Sequence, residues 1–134
     1  MENDKLYRIL FFIGSAWNFA VAISLFILIG SLPTLINIEP PKYNLFIYFN
    51  LMTIFIFGCM QWSVAKDLYK NRNMVVILMW AKFALIIIFL YALIFDTPVK
   101  ELSAFLAPGM VIDLLFGLIF WRFLIYSRAQ IKTT

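Results

Sequence analysis

The sequence contains no histidine and a single cysteine, Cys59, among its 134 residues. Without histidine the chain has no imidazole for acid–base catalysis, for haem ligation or for most familiar zinc sites. One cysteine cannot form an intrachain disulfide, and no second thiol is present for a redox cycle. Because Cys59 lies in an apolar run, we expect it to behave as a small hydrophobic residue. We therefore predict neither a metal site nor a cofactor.

Charged residues are also scarce, at 13% of the chain, whereas 64% of the residues are hydrophobic and 19% are aromatic. Soluble domains carry roughly 25% charged residues because they need a wetted surface. A chain of this size cannot bury so many apolar side chains within itself, so lipid must surround the remainder. The composition, with a mean hydropathy of +0.94, indicates an integral membrane protein.

The net charge of +4 does not indicate nucleic-acid binding, because the basic residues other than Lys82 lie at or beyond the ends of the apolar stretches. Such positions are typical of residues that set membrane topology and contact anionic headgroups. The densest charge cluster, 66–72, is interpreted in the same way, with docking of a phosphate-bearing substrate or a protein partner as the alternative. We predict membrane lipids, and no nucleic acid, as partners.

Four apolar stretches are long enough to cross the hydrocarbon core of a bilayer, which takes about 20 helical residues. They cover residues 7–30, 44–66, 73–95 and 104–126. The first is too long for the apolar part of a signal peptide, and no typical cleavage site follows it, so we expect it to be retained. The predicted fold is an all-α integral membrane four-helix bundle in one domain, 1–134.

Proline marks several connections between these stretches. The first connection contains Pro33, Pro40 and Pro41, which cannot continue a helix. The spacing of Val99, Leu102, Phe105 and Leu106 predicts a short amphipathic piece along the membrane surface. Pro108 and Gly109 are expected to kink or restart the fourth helix. Counting identities along the chain reveals no internal repeat.

The orientation follows from the distribution of lysine and arginine. The N-terminus, the second connection and the C-terminus together hold eight basic residues, whereas the two other connections hold only Lys42 and Lys100. Cytoplasmic segments carry the excess of basic residues. We therefore expect both termini to be cytoplasmic, in a multi-pass protein of a cell membrane, most simply a bacterial inner membrane.

Lys82 and Asp113 are the charged residues that fall deep inside the predicted spans, away from their ends. Lys82 lies nine residues after Asn73, and Asp113 lies nine residues before Arg122, so both are about 13 Å from the inner end of their helix. A charge at the centre of a bilayer costs about 2.5–3.5 kcal/mol even on the lenient insertion scale, so it normally faces a partner or water. We predict a direct contact between Lys82 and Asp113.

Asn18 and Gln61 add polar groups from the first two predicted helices. Small residues at four-residue spacing flank these positions, as they flank Asp113, and such spacing lets helices approach closely in lipid. The candidate ligand-binding residues are therefore Lys82, Asp113, Asn18 and Gln61, with Trp17 as an aromatic candidate. For Asn18 and Gln61 alone, interhelical hydrogen bonding is the favoured alternative, and for Trp17 it is packing or an interfacial position.

The charge pattern resembles that of a group of small uncharacterised bacterial four-helix membrane proteins. The resemblance lies in Ala65-Lys66-Asp67 and Asn71-Arg72, in Trp80-Ala81-Lys82, and in Asp113-Leu114-Leu115-Phe116. In size and shape the chain is also similar to DoxX-like and EXPERA-like four-helix bundles. The latter resemblance implies an interior cavity for a sterol-like or other lipidic ligand, with an acidic residue, here Asp113, near its centre. The histidine and paired acidic residues of sterol isomerases have no counterpart in this sequence.

Three functions remain open at this stage. The first is a protein that binds or transports an amphipathic or lipidic small molecule through the Lys82–Asp113 site, with a homo-oligomer as the way to enclose a permeation pathway. The second is a structural or accessory subunit in which the pair fixes helix packing. The third is a lipid-acting membrane enzyme that uses Asp113 as acid or base. The sequence alone does not settle whether the protein is an enzyme.

Overall fold

The computed structural model describes residues 2–35, 44–96, 100 and 103–131. Five helices have defined bounds in this part of the chain. They are α1 (Glu2–Leu28), α2 (Leu32–Leu35), α3 (Asn44–Lys66), α4 (Arg72–Phe95) and α5 (Ser103–Ile131).

Four of these helices, α1, α3, α4 and α5, are long and apolar enough to cross a membrane. The α2 helix is a single turn that follows the end of α1. The predicted all-α class with four membrane-spanning helices is confirmed. The physical reason is that each apolar stretch satisfies its backbone hydrogen bonds internally only as a helix when lipid surrounds it.

Three predicted helices differ from the observed ones at their ends, the third only in that it begins at Arg72 rather than at 73. The first begins at Glu2 and ends at Leu28, rather than covering 7–30, and the fourth covers Ser103–Ile131 rather than 104–126. Hydropathy marks where the apolar core ends, whereas a helix continues into the polar interface as long as its backbone bonds are satisfied. The predicted restart at Pro108 is wrong, because α5 continues through this residue. Pro108 lies near the start of α5, where its missing N–H removes only one bond of the helix.

Some predictions fall wholly or partly on residues that the structure does not describe. Pro40, Pro41, Lys42, Val99 and Leu102 lie outside the described residues. Of the predicted amphipathic piece, Phe105 and Leu106 belong to the first turn of α5.

The chain divides into two compact units, Met1–Leu68 and Tyr69–Thr134. In the first unit α1 packs against α3, and in the second α4 packs against α5. Each unit is thus a helical hairpin, because the two long helices of a unit follow one another in the chain and run antiparallel. The two units are called the first and the second hairpin below.

Buried residues recur every three or four positions along each long helix, which places them on one face. On α1 they include Phe11, Ser15, Asn18 and Ala22, and on α3 they include Leu51, Gln61, Val64 and Ala65. On α4 they are Val75, Leu78, Met79 and Lys82, and on α5 they include Asp113, Phe116, Phe120, Phe123 and Ser127. The opposite faces of these helices expose large apolar side chains, as expected where lipid is the solvent.

Two glycines mark places where helices approach closely. A Cβ atom added at Gly58 would lie 2.7 Å from Phe19 Cε1, and one at Gly117 would lie 3.2 Å from Phe83 Cε1. The predicted role of small residues in close approach is therefore confirmed at these two positions. At Gly109, which lies on the same face as Asp113, an added Cβ atom would have no neighbour within 4 Å among the described residues, so no close approach is observed there.

Candidate functional site

The predicted contact between Lys82 and Asp113 is present in the second hairpin. The ammonium group of Lys82 on α4 donates a hydrogen bond to Asp113 Oδ1 on α5, and the two groups form an ion pair. Lys82 is 4% exposed and Asp113 is 9% exposed. The pair lies about 15 Å from the start of α4 at Arg72, by the helical rise, so it sits well inside the apolar part of the span.

Gly117 shapes the space beside this ion pair. It lies one turn after Asp113 on α5, and a Cβ atom added there would lie 3.5 Å from the Cβ atom of Lys82. The small residue brings the backbone of α5 close to α4 at the level of the lysine. This close approach allows the short aspartate side chain to reach the ammonium group.

The ion pair leaves hydrogen-bonding capacity unused within the described part of the chain. An ammonium group has three donors, and a carboxylate has two oxygens with about four acceptor positions. Within the described residues one hydrogen bond, from Lys82 Nζ to Asp113 Oδ1, connects them. A polar group of a ligand, or water, can therefore bind at the pair without first breaking it.

Arg72, at the start of α4, connects α4 with α5 at a different level of the second hairpin from the ion pair. Its Nε donates to the hydroxyl of Ser127 at 2.9 Å, and its Nη2 donates to the carbonyl oxygen of Leu124 at 3.4 Å. Leu124 and Ser127 lie seven and four residues before the end of α5 at Ile131, so the arginine joins the start of α4 to the C-terminal part of α5. This contact lies ten residues before Lys82 on α4 and connects the two helices at a second level.

In the first hairpin a hydroxyl group connects α1 with α3. Ser15 Oγ donates to the carbonyl oxygen of Gly58 at 2.8 Å, and both residues are buried. The sequence analysis did not identify Ser15. The signal that would have found it is its position three residues before Asn18, on the same face of α1.

Asn18 and Gln61 are both buried in the first hairpin, at 3% and 0% exposure. Asn18 lies one turn beyond Ser15 on α1, and Gln61 lies one turn beyond Gly58 on α3. Because the two helices are antiparallel, the amides lie on opposite sides of the Ser15–Gly58 bond, about 9 Å apart along the axis. The structure therefore places them at two levels of the hairpin rather than at one point.

These two amides hold polar atoms that have no partner in the described part of the chain. They are Nδ2 of Asn18 and both Nε2 and Oε1 of Gln61. A buried polar group without a hydrogen bond costs about 1–3 kcal/mol. Interhelical hydrogen bonding, the favoured alternative for these residues, is absent at these three atoms within the described residues. Their assignment to a ligand site that includes Lys82 and Asp113 stays a prediction.

Trp17, the aromatic candidate, lies on α1 beside Asn18 in the sequence and is 36% exposed. It is thus directed away from the buried face to which Asn18 belongs. Its exposure fits the alternative of a lipid-facing or interfacial residue, and its role in ligand binding stays a prediction.

Arg8 closes the first hairpin in the way that Arg72 closes the second. Its Nη1 donates to the carbonyl oxygens of Ala65 at 3.2 Å and Lys66 at 2.7 Å, at the end of α3. Arg8 and Arg72 both belong to the basic residues that the sequence indicates as topology determinants. Their additional contacts depend on the position of the opposing helix and its carbonyl groups, and hydropathy and charge counts do not give that position.

An apolar groove of about 280 Å³ lies between α1 and α3 of the first hairpin. Its lining residues are Ala22, Ile23 and Phe26 from α1, and Tyr48, Leu51, Met52 and Phe55 from α3. Ala22 lies one turn beyond Asn18 on the buried face of α1. Asn18, whose amide nitrogen has no hydrogen-bond partner among the described residues, does not line the groove but lies one turn before its first lining residue.

Comparison with protein-family models, with curated proteins and with solved structures gives no match for this chain.

Proposed function

We propose that this multi-pass membrane protein binds or transports an amphipathic or lipidic small molecule through a polar site at Lys82 and Asp113. The observation that supports the proposal is a buried ion pair with spare hydrogen-bonding capacity inside two helices of membrane-spanning length. Charged residues inside a membrane are expensive, and they commonly belong to ligand or ion pathways.

The chemistry of the pair defines the kind of ligand. The unused donors of Lys82 suit a carbonyl, hydroxyl or carboxylate oxygen, and the unused acceptor positions of Asp113 suit a hydroxyl or amine. The rest of the ligand has to be apolar, because the surrounding faces of the helices expose apolar side chains. A transport function would require a homo-oligomer, since two hairpins enclose little volume.

Native mass spectrometry of the protein purified in detergent tests this proposal. The comparison includes wild type, Asp113→Asn, Lys82→Met and the charge-swapped double variant Lys82→Asp/Asp113→Lys. Lys5→Met serves as the control, because Lys5 is exposed near the start of α1. We expect wild type and the control to retain a defined small molecule that both single variants lose.

The charge-swapped variant separates binding from folding. It keeps one positive and one negative group at the contact but exchanges their positions. A ligand that recognises the arrangement of charges is lost from this variant even when its thermal stability matches that of wild type. If the variant refolds normally and no small molecule is retained by any form of the protein, the ligand-binding proposal is wrong.

A structural or accessory role is the second candidate, and a specific observation favours it. Lys82 and Asp113 satisfy one another without a ligand, and both are buried. Buried ion pairs serve in some proteins to fix register rather than to bind. In this case the charge-swapped variant restores stability, and the wild-type protein is isolated with a protein partner rather than a small molecule.

The proposal also includes a location. We place the protein in a bacterial inner membrane with both termini in the cytoplasm, on the basis of the lysine and arginine distribution. In each hairpin an arginine lies near the start of the first helix and contacts the C-terminal part of the second helix, so these arginines belong to the basic residues that support the assignment. The resemblance to DoxX-like and EXPERA-like proteins is retained as part of the same proposal.

A further inference from the structure

The two hairpins contain the same contacts at equivalent positions. Arg72 lies 64 positions after Arg8, and each donates to a carbonyl oxygen near the end of the opposing helix. These carbonyl groups belong to Ala65 and Leu124, which are 59 positions apart. Equivalent residues of the two hairpins are thus 64 positions apart on the first helix and 59 positions apart on the second helix.

The glycine contacts repeat at these offsets. Phe19 lies against Gly58 in the first hairpin, and Phe83 lies against Gly117 in the second. Phe83 is 64 positions after Phe19, and Gly117 is 59 positions after Gly58. Both glycines belong to the motif Phe-Gly-x-x-x-Trp, at 57–62 and at 116–121. The hairpins are therefore two copies of one structural unit, which counting identities without these registers did not reveal.

This equivalence relates Asn18 to the ion pair. Lys82 is 64 positions after Asn18, and both are buried donors on the first helix of their hairpin. The position equivalent to Asp113 in the first hairpin is Ile54, whose side chain has no hydrogen-bond acceptor. The missing acceptor explains why Asn18 Nδ2 has no hydrogen-bond partner in the described structure.

We propose that the first hairpin binds a neutral long-chain lipid that carries a carbonyl oxygen, which accepts a hydrogen bond from Asn18 Nδ2 while its hydrocarbon chain occupies the groove between α1 and α3. The residues of this site belong to the first hairpin and those of the proposed function to the second, so the inference goes beyond the proposed function.

Three observations define this ligand. Its acceptor is neutral, because the span from residue 9 to residue 30 contains no charged residue to balance a carboxylate, and neither does the span from 44 to 65. Its chain is apolar, because the groove begins at Ala22, one turn beyond Asn18, and continues to Phe26 and Tyr48. Its acceptor reaches the middle of the membrane, because Asn18 lies about 15 Å from Arg8 by the helical rise.

The test uses the full-length protein in phosphatidylcholine nanodiscs with two probes, a long-chain methyl ketone and the alkane of the same length. Asparagine-selective ¹⁵N labelling reports on the side-chain amide of Asn18, whose resonance is identified by its loss in Asn18→Leu. We expect the ketone to shift this resonance and the alkane to leave it unchanged. Equal shifts with both probes, or no shift with either, would overturn the proposal.

Native mass spectrometry of the same samples measures retention of the ketone. Asn18→Leu is expected to weaken ketone binding about tenfold, the effect of losing one hydrogen bond to a buried group. Asn50→Leu is the matched control, because Asn50 is exposed on α3, and it is expected to bind as wild type does. Ketone binding by Asn18→Leu at wild-type affinity would contradict the assignment.

Two further variants keep the test decisive if Asn18→Leu fails to fold. Ile54→Asn introduces an acceptor at the position equivalent to Asp113, so it is expected to raise the thermal stability and to weaken ketone binding about tenfold by competing for the amide. Ile23→Trp fills the groove from its exposed side and is expected to abolish retention of the ketone. Unchanged retention in both variants rejects the site. Because these variants leave Lys82 and Asp113 intact, neither result decides the fate of the proposed function.

Discussion

Lys82 and Asp113 meet on consecutive long helices of the second hairpin, 31 positions apart in the sequence and buried together. Each charge makes the other tolerable in an apolar environment, since either one alone at this depth would lack a partner among the described residues. The packing of α4 on α5 therefore depends on the presence of both opposite charges. Any account of the function has to separate these two roles.

Removal of one member of the pair should cost more than removal of both. Lys82→Met and Asp113→Leu are each expected to lower the free energy of unfolding by about 3–5 kcal/mol, because each leaves an uncompensated buried charge. The double variant Lys82→Met/Asp113→Leu should be close to wild type or more stable, since hydrophobic residues of similar size often replace a buried ion pair without loss.

Steric trapping in bicelles measures these free energies, with Lys5→Met as the exposed control. The double-mutant cycle gives the coupling between the two positions. Additive effects of the two single substitutions would show that the contact contributes nothing to folding, and the pair would then have to be explained by binding alone.

The close approach at Gly58 predicts a strong response to a single added methyl group. In Gly58→Ala the new Cβ atom would lie 2.7 Å from Phe19 Cε1, so either the ring or α3 has to move. We expect a loss of about 1–3 kcal/mol, as for other overpacked sites. Thermal unfolding followed by circular dichroism measures the change.

Two variants control this experiment. Gly109→Ala adds the same methyl group where no atom lies within 4 Å, and it should leave the melting temperature equal or slightly higher because alanine favours a helix over glycine. Phe19→Leu combined with Gly58→Ala should recover part of the loss. If the combined variant is less stable than Gly58→Ala alone by the full cost of Phe19→Leu, the ring is not the source of the strain.

The sequence was sufficient to predict the elements and the central contact for a simple reason. Hydropathy over a length of about 20 residues determines which segments cross a membrane, and helical rise converts sequence position into depth, which placed Lys82 and Asp113 at one level. Helix ends were less predictable, because α1 begins at Glu2, before its apolar run, and ends at Leu28, within it. Hydropathy also does not show that α5 continues through Pro108, a proline near its start.

The amides illustrate a second limit. Asn18 and Gln61 are both buried, as their places on the small-residue faces indicated, but they lie about one and a half turns apart along the first hairpin by the helical rise. Their relative level depends on the register of α1 on α3, which is set by contacts of Arg8 and Ser15 with backbone carbonyl groups. A backbone acceptor has no sequence signature, so neither contact could be predicted from residue types.

Arg72 should stabilise the end of the second hairpin locally. Arg72→Gln removes the bonds to Ser127 and to the carbonyl oxygen of Leu124, and we expect a loss of about 1 kcal/mol because the group is only partly buried. Hydrogen exchange should accelerate in the last turns of α5 and remain unchanged around Asp113. Arg122→Gln, an exposed arginine on the same helix, is the matched control, and equal acceleration in both variants would assign the effect to net charge instead.

The orientation predicted from the basic residues can be tested with single cysteines in a Cys59→Ser background. Thr34→Cys and Lys100→Cys place a thiol at exposed positions outside the four long helices, whereas Asn3→Cys and Arg128→Cys place one near the termini. If the termini are cytoplasmic, a membrane-impermeant maleimide labels the first two in intact cells and the last two only after permeabilisation. The physical reason is that arginine and lysine near a span resist translocation, and the reverse labelling pattern would show that the charge bias does not determine topology in this chain.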